Sequence, residues 1–398
     1  MVDQSFPPSR NAALSSLAQF AARGAHTYAS GRNTDAGPDQ PSAVSRLSPY
    51  VRRRIITEHE IVATVLTHHS LQAADKFIQE VLWRTYWKGW LEMRPAIWTR
   101  FLADRDLQRD AASDRRAISD AENGLTGIEG FDDWSRELIQ TGYLHNHARM
   151  WFASIWIFTL RLPWALGADF FLRHLIDADP ASNTLSWRWV AGLQTAGKTY
   201  LATKANIARY TNGRFAPDGL AREAIALREP PVEPPRALPT VAPYDARQPA
   251  VLLITDEDMH PESIFPDLSV FKAARVVVDP NLLWGDNARQ FAHAAAADTV
   301  SRISSQVDGP VYLADRLDAG FLADAAEAAG VKRIVTPYAP VGPVADGLAH
   351  LALELASRGI ILDQVRREWD ARFWPYAAKG FFPFKDRIPS VLRECGLT

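Results

Sequence analysis

The 398-residue chain holds a single cysteine, Cys395, so it can form neither an internal disulfide nor a thiolate cluster for zinc or iron–sulfur. A reducing, cytoplasmic compartment is the expectation. Long apolar runs are also missing. The charge-free stretch in the apolar middle of the chain, Met150 to Leu160, is about half of the ~20 residues that a bilayer-spanning helix requires. The N-terminal segment has charges and prolines where a secretory signal needs an unbroken apolar core. Neither sign of charge is in excess: 44 Lys+Arg face 46 Asp+Glu, a net of −2, which excludes a uniformly basic nucleic-acid coat. The balance hides an asymmetry, with 27 basic against 24 acidic residues up to position 230 and 17 against 22 beyond it. At 47% hydrophobic and 23% charged residues, the chain is an ordinary globular sequence long enough for two packed domains.

What is present differs between the two halves. From Thr57 onward apolar residues recur at helical spacing, and Thr57 and Glu60 are placed as a capping box ahead of Ile61, Val62, Val65 and Leu66. The helical pattern continues over Ala73–Leu91, Leu144–Leu162 and Asp169–Ile176, with scarcely a strand signal before residue 185. Eight of the 26 prolines lie between Ala216 and Pro249, where they forbid regular helix and favour an extended connector. Beyond it, β-branched runs at Val251–Thr255, Arg275–Val278, Val311–Leu313, Arg333–Thr336 and Ile360–Leu362 alternate with helical stretches such as Phe321–Ala329 and Ala345–Ser357. Such alternation implies a parallel sheet covered by helices. The expected architecture is therefore multidomain: an all-helical domain over residues 1–215, a Pro-rich linker over 216–248, and a smaller Rossmann-like α/β domain over 249–398.

Gly192-Leu-Gln-Thr-Ala-Gly197-Lys198-Thr199 satisfies the phosphate-loop pattern GxxxxGK[ST], with Asp256 or Asp279 as a conceivable magnesium partner. Its context argues against an ATP-hydrolysing site, because that loop must leave a buried strand and here a helical pattern precedes it. No GxGxxG follows any expected strand, so a dinucleotide site of the Rossmann kind has no support.

The helical half offers a different constellation. Ten of the thirteen tryptophans fall between Trp83 and Trp189, a crowding that an aromatic core would also produce. Ser45-Arg46-Leu47-Ser48-Pro49-Tyr50 forms a turn of small hydroxyl residues opening a helix, where backbone N–H groups and hydroxyls suit a diphosphate. Glu80, Trp83, Arg84 and Trp87 share one helix face. A carboxylate, a guanidinium and two indoles on one face suit base recognition, although a buried ion pair flanked by core indoles would look the same. Two longer blocks follow, Thr141-Gly-Tyr143-Leu-His145-Asn146-His147-Ala-Arg149-Met150 and Leu175-Ile-Asp177-Ala178-Asp179-Pro-Ala-Ser-Asn183-Thr-Leu-Ser-Trp187-Arg-Trp189.

In this order the four blocks resemble the FAD-binding domain of the DNA photolyase/cryptochrome family, the last two being similar to its TGWxHNRxRM and LIDGDxAxNNxxWQW segments. The resemblance implies FAD as cofactor, held by Tyr28, Ser45, Arg46, Leu47, Ser48, Arg149, Asp177, Asp179 and Asn183. It implies an Arg149–Asp177 ion pair beside the flavin ring, with Asn183 facing the ring. Arg32, Glu80, Trp83, Arg84, Asn146, His147 and Met150 are the implied contacts to DNA, Glu80 accepting hydrogen bonds from a pyrimidine pair and Trp83 stacking on it. Trp187 and Trp164 match two indoles of the family's electron relay, with Trp98 as the candidate for its outermost member. No metal is implied.

The departures are specific. Tyr143 stands where the family has Trp, His147 where bacterial photolyases have an Arg on the DNA phosphate, and Val190 to Asn206 lacks the usual aspartate-containing segment. The α/β half follows the flavin domain instead of preceding it, although Gly359–Leu362 and Phe381-Phe-Pro-Phe384 resemble the end of the family's antenna domain; a second, antenna chromophore is not expected. The implied function is light-driven repair of cyclobutane pyrimidine dimers in UV-damaged DNA by a monomer. The alternative is a cryptochrome-like photoreceptor.

Overall fold

The structure is a computed structural model that describes residues 6–38, 40–112, 114–241, 245 and 247–398. Helices come first along the chain: α1 (Arg10–Ala21), α2 (Gly24–Gly31), α3 (Ser48–Arg52), α4 (Glu58–Leu66), α5 (Leu71–Glu92), α6 (Ala96–Ala111), α7 (Arg115–Glu122), α8 (Phe131–Thr141), α9 (Asn146–Ser154), α10 (Trp164–His174), α11 (Pro180–Val190) and α12 (Lys204–Tyr210). Thr57 and Glu60 close the capping box of α4, and Ser70 starts α5 by accepting from the Ala73 N–H. Both satisfy amide donors that a helix start leaves orphaned.

The helix expected over Leu144–Leu162 is interrupted. It begins at Asn146, widens into a π-helical turn over Ile155–Thr159 and stops where Arg161 takes a φ of 56°. Pro163, which has no N–H to give a continuing helix, then leads into α10. Gly192–Thr199 forms turns after α11, with no strand before it and no helix directly after it. This agrees with the argument against a phosphate loop, because nothing here aligns a row of amides on a helix start.

After an extended proline-rich stretch the second half alternates as β1 (Ala250–Thr255), β2 (Phe271–Val277), α13 (Asp286–Ile303), β3 (Val311–Ala314), α14 (Ala319–Ala328), β4 (Arg333–Pro337), α15 (Pro343–Ser357) and β5 (Ile361–Val365). The strands are parallel and lie in the order β3-β2-β1-β4-β5. Both faces of β1 are buried: Val251 and Leu253 pack with α14 and α15, while Leu252 and Ile254 belong to the core that continues into the helical half. The chain then returns to the first half through α16 (Glu368–Phe373), α17 (Phe381–Lys385) and α18 (Ile388–Glu394). A Cβ on Gly89 would sit 2.7 Å from the Trp374 ring, so only glycine allows α5 this close an approach. The Trp369 indole donates to Thr85 Oγ1 at 3.0 Å and the Tyr86 hydroxyl to the Lys379 carbonyl at 2.8 Å.

Charge fixes the two halves to each other. Arg52, Arg53 and Arg54 at the end of α3 are all buried, as are Asp256, Glu257 and Asp258 just beyond the carboxyl end of β1. Arg52 pairs with Glu257 at 2.6 Å, Arg53 with Asp256 at 2.5 Å, and Arg54 with Asp370 at 2.6 Å and Asp258 at 3.4 Å. Arg367, following β5, closes the set on Asp258 at 2.6 Å. These pairs fill the carboxyl edge of the sheet, where open parallel folds usually hold ligands. Burial pushes the Asp256 carboxyl up, opposed chiefly by Arg53.

Because removing one member of a buried pair strands the other charge, Arg53→Met is expected to cost roughly 3–5 kcal/mol of unfolding free energy in a urea titration. The double variant Arg53→Met/Asp256→Leu should recover most of that loss; a double variant as unstable as the single one would contradict the assignment.

Candidate functional site

A cavity of about 520 Å³ opens in the helical half, within the range of small-molecule and cofactor sites. Ser45–Ser48, α5, α9 and α11 supply most of its wall. Tyr28, Ser45, Arg46, Leu47, Ser48, Glu80, Trp83, Arg84, Asn146, Arg149, Met150, Asp177, Asp179, Asn183 and Trp187 all line it, although they come from segments spread over some 160 positions of the chain. Arg32 and His147 lie off this wall. Arg32 donates to the Ala29 carbonyl. The His147 ring stacks on Trp151 at 4.2 Å and meets the Asn33 carbonyl and the Tyr200 hydroxyl at 2.9 and 3.1 Å. Both ring nitrogens of His147, expected as a DNA contact, are engaged within the fold.

At the base of the cavity, Arg149 Nη1 lies 3.4 Å from Asp177 Oδ2. Arg84 reaches Asp179 directly and Asp177 at 3.7 Å. Asp179 caps α11 by accepting from the Ser182 N–H at 2.8 Å. It is also faced by Arg52 at 3.8 Å. Burial alone would raise the Asp179 carboxyl, but Arg84, Lys88 and Arg52 together with the cap bond hold it far below the usual carboxylate range. Asn183 donates its amide to the Ala168 carbonyl at 2.8 Å, which leaves its side-chain oxygen for a ligand. Ala178 bridges the two aspartates at φ 36°, a left-handed conformation that a Cβ disfavours.

Ser45–Ser48 differs from expectation in one respect. The helix it opens, α3, is only five residues long, so little dipole accumulates there. Anion affinity would have to come from local donors. Ser48 Oγ, Arg46 Nε, Ser182 Oγ and Asp177 Oδ1 are all buried without a hydrogen-bond partner. Orphaned buried polar atoms cost about 1–3 kcal/mol each. A ligand bearing phosphate oxygens, hydroxyls and ring N–H groups would satisfy this set, so the residues present fit FAD.

The rest of the lining is largely aromatic, with one further carboxylate, Glu80. Glu80 accepts from the Asn146 amide at 3.3 Å. The protein crowding around it raises its pKa, with Arg32 and Arg84 opposing. Trp83 is covered on one side by Phe381, whose ring lies 3.6 Å away and within 10° of parallel; the indole thus has a fixed backing contributed by the second half. Tyr143 is sandwiched between the guanidinium of Arg46, 4.8 Å from its ring centre, and that of Arg149 at 5.8 Å. Burial pushes its hydroxyl up to about 12 despite Arg149. Trp87, Trp189 and Phe382 also line the cavity. Trp189 sits two residues after Trp187 in the quoted motif, which could have flagged it. Phe382 carries no such signal.

Trp187 is buried, and its ring neighbours include Phe171 at 5.1 Å and Trp156 at 6.3 Å. A Cβ on Gly167 would fall 2.4 Å from this indole, so glycine is what lets it press against α10. Trp164 starts α10 outside the cavity wall. From it, ring contacts run to Phe101 at 5.8 Å, on to Trp98 at 5.5 Å and to Trp284 of the second half at 5.5 Å. Trp98 is 2% exposed, which corrects its expected place as the outermost indole; Trp284 lies farther out.

Residues 77–217 match a family model described as the FAD binding domain of DNA photolyase. The chain is 36% identical over 154 residues to a deoxyribodipyrimidine photo-lyase of Streptomyces griseus, covering 38% of this chain and 33% of the relative. It is 31% identical over 193 residues to that of Thermus thermophilus, covering 48% and 45%. Among solved structures, a bacterial class III photolyase from Agrobacterium tumefaciens aligns at 27% identity with a TM-score of 0.44, covering 51% of this chain and 43% of that one. Residues 77–217 of the helical half are thus similar to the FAD binding domain of DNA photolyase, and the chain spans less than half the length of the curated relatives it matches. Among the described residues no helix is long and apolar enough to cross a membrane.

Two outcomes follow. Ala178→Gly relieves the left-handed strain and is expected to raise stability by up to about 1 kcal/mol, read from a urea midpoint. Burial also lowers the pKa of His145, His174 and His260 to about 4. The unfolded chain binds those protons near pH 6.5 and the native one does not. Stability from this source is therefore complete above pH 6.5 and is lost as the pH falls towards 4. Melting temperatures measured at pH 7.5 and 5.0 should show the drop, and His260→Gln should make it smaller.

Proposed function

We propose that this protein repairs cyclobutane pyrimidine dimers in UV-damaged DNA, acting as a monomer by FAD-dependent, light-driven electron transfer. The observation that carries the reading is that one cavity joins two chemistries. A charged set, Arg149, Asp177, Asp179 and Asn183, lines the same cavity as Glu80, Trp83, Asn146 and Met150. Bound FAD in its reduced form would supply a one-electron donor on illumination.

The chain's own residues do the rest. Asp179, kept anionic by Arg84, Lys88 and Arg52, and Asp177 would orient the ring system, and the free oxygen of Asn183 would accept from it. Ser45, Ser48 and Arg46 bind the diphosphate. Glu80, with its raised pKa, meets the hydrogen-bonding edges of the extruded pyrimidines while Trp83, immobilised by Phe381, stacks on them. A damaged pair is cheaper to extrude than an intact one, and this supplies part of the selectivity. Trp187, in the cavity wall, and Trp164, at the start of α10, would carry the electrons that replenish the site.

A cryptochrome-like photoreceptor is the second reading. It is favoured by His147, which turns its ring into the fold, and by the net charge of −2.

Illuminating the purified, reduced protein with a duplex containing one thymine dimer should restore thymine absorbance. Glu80→Ala should lower the repair yield without loss of flavin, and Asp177→Asn should lower the flavin content itself. A yellow wild-type protein that leaves the dimer intact would refute repair and leave the photoreceptor.

A further inference from the structure

The α/β half contributes one side chain to the cavity wall, Phe382. It is also the most exposed large apolar side chain among the described residues, at 79%. A solvent-facing phenylalanine forgoes roughly 1.5–3 kcal/mol of burial, so its position at the mouth of a cavity needs an account. The backbone that carries it is fixed. Phe381 lies flat on Trp83 and also meets Tyr86 at 5.4 Å. Phe384 packs on Tyr86 at 5.4 Å and on Phe373 at 5.8 Å. The Tyr86 hydroxyl ties down Lys379. Phe382 is thus held outward on a rigid turn between two buried aromatics. Lys379 and Arg387 stand exposed nearby in the chain, with Asp386 the opposing charge.

An aromatic face held rigidly at a rim, in a segment that also carries the exposed cations Lys379 and Arg387, is chemically suited to a nucleobase and the phosphates that accompany it. An apolar peptide has no use for the cations, and a small acid has none for the ring. We infer that Phe382 stacks on a nucleobase beside the extruded dimer, so that the lesion site is completed by the α/β half. This rests on the repair reading above and names a substrate-positioning contact within it.

The experiment measures dark binding of full-length protein to fluorescein-labelled duplexes with and without one thymine dimer. A 2-aminopurine next to the dimer reports stacking. Phe382→Ala is expected to weaken binding to the dimer duplex roughly 5- to 100-fold, the range of base-on-aromatic stacking, and to abolish the 2-aminopurine quench. Phe382→Trp should retain both, while Phe382→Leu, apolar but unable to stack, should behave like alanine. Flavin content should be equal in all four proteins. If wild type prefers the dimer and Phe382→Ala binds it equally well, the inference is wrong and the repair reading stands. If Phe382→Leu behaves as wild type, the contact is apolar and stacking is refuted. If wild type itself shows no preference for the dimer, the repair reading falls and takes the inference with it.

Discussion

Three consecutive arginines buried against three consecutive acids hold this molecule in its shape. Charges this deep are tolerated only in pairs, because each alone would cost several kcal/mol of lost hydration. Arg52 to Arg54 come from the segment that also forms the Ser45–Ser48 wall of the cavity, and Arg52 additionally faces Asp179 at the cavity's base. The sheet therefore does more than extend the chain. Through Asp256, Glu257 and Asp258 it sets the position of the arginines, and through them part of the electrostatics around the two site aspartates.

A second link runs through aromatic packing. The returning C-terminal helices dock on α5, the helix that presents Glu80, Trp83 and Arg84. Gly89 admits Trp374 against its backbone. The Phe381–Trp83 stack then makes one face of the site a joint product of both halves. Rigid support of this kind is what a recognition surface requires, since an indole free to rotate would pay for every orientation it gave up.

Much of this was legible in the sequence. The five strands follow from β-branched runs between alanine-rich helices, and the cavity lining follows from long charged motifs whose residues have little other reason to recur in that order. Other features were not legible, for physical reasons. Arg52-Arg53-Arg54 looks like a solvated basic patch until its partners, some 200 residues away, are brought to it. His147 sits in a motif whose neighbours line the cavity, yet one turn of helix points it towards Trp151 and Tyr200. The π-helical turn over Ile155–Thr159 leaves no mark in an unbroken apolar pattern. Phe382 is one phenylalanine among eighteen, and only docking distinguishes it.

The order of the two halves along the chain has a temporal side. Of the acids that neutralise Arg52 to Arg54, Asp256, Glu257 and Asp258 are encoded some 203 to 205 residues downstream, which at 5–20 residues per second separates their emergence from the ribosome by about 10 to 40 seconds, and Asp370 lies 316 residues downstream. Until then the helical half offers these arginines as ion-pair partners, among the described residues, only Asp179, 3.8 Å from Arg52, and Glu58, 3.7 Å from Arg54. Phe381 and Phe382 arrive later still. The last residue of the cavity wall, Phe382, is thus also among the last to be made.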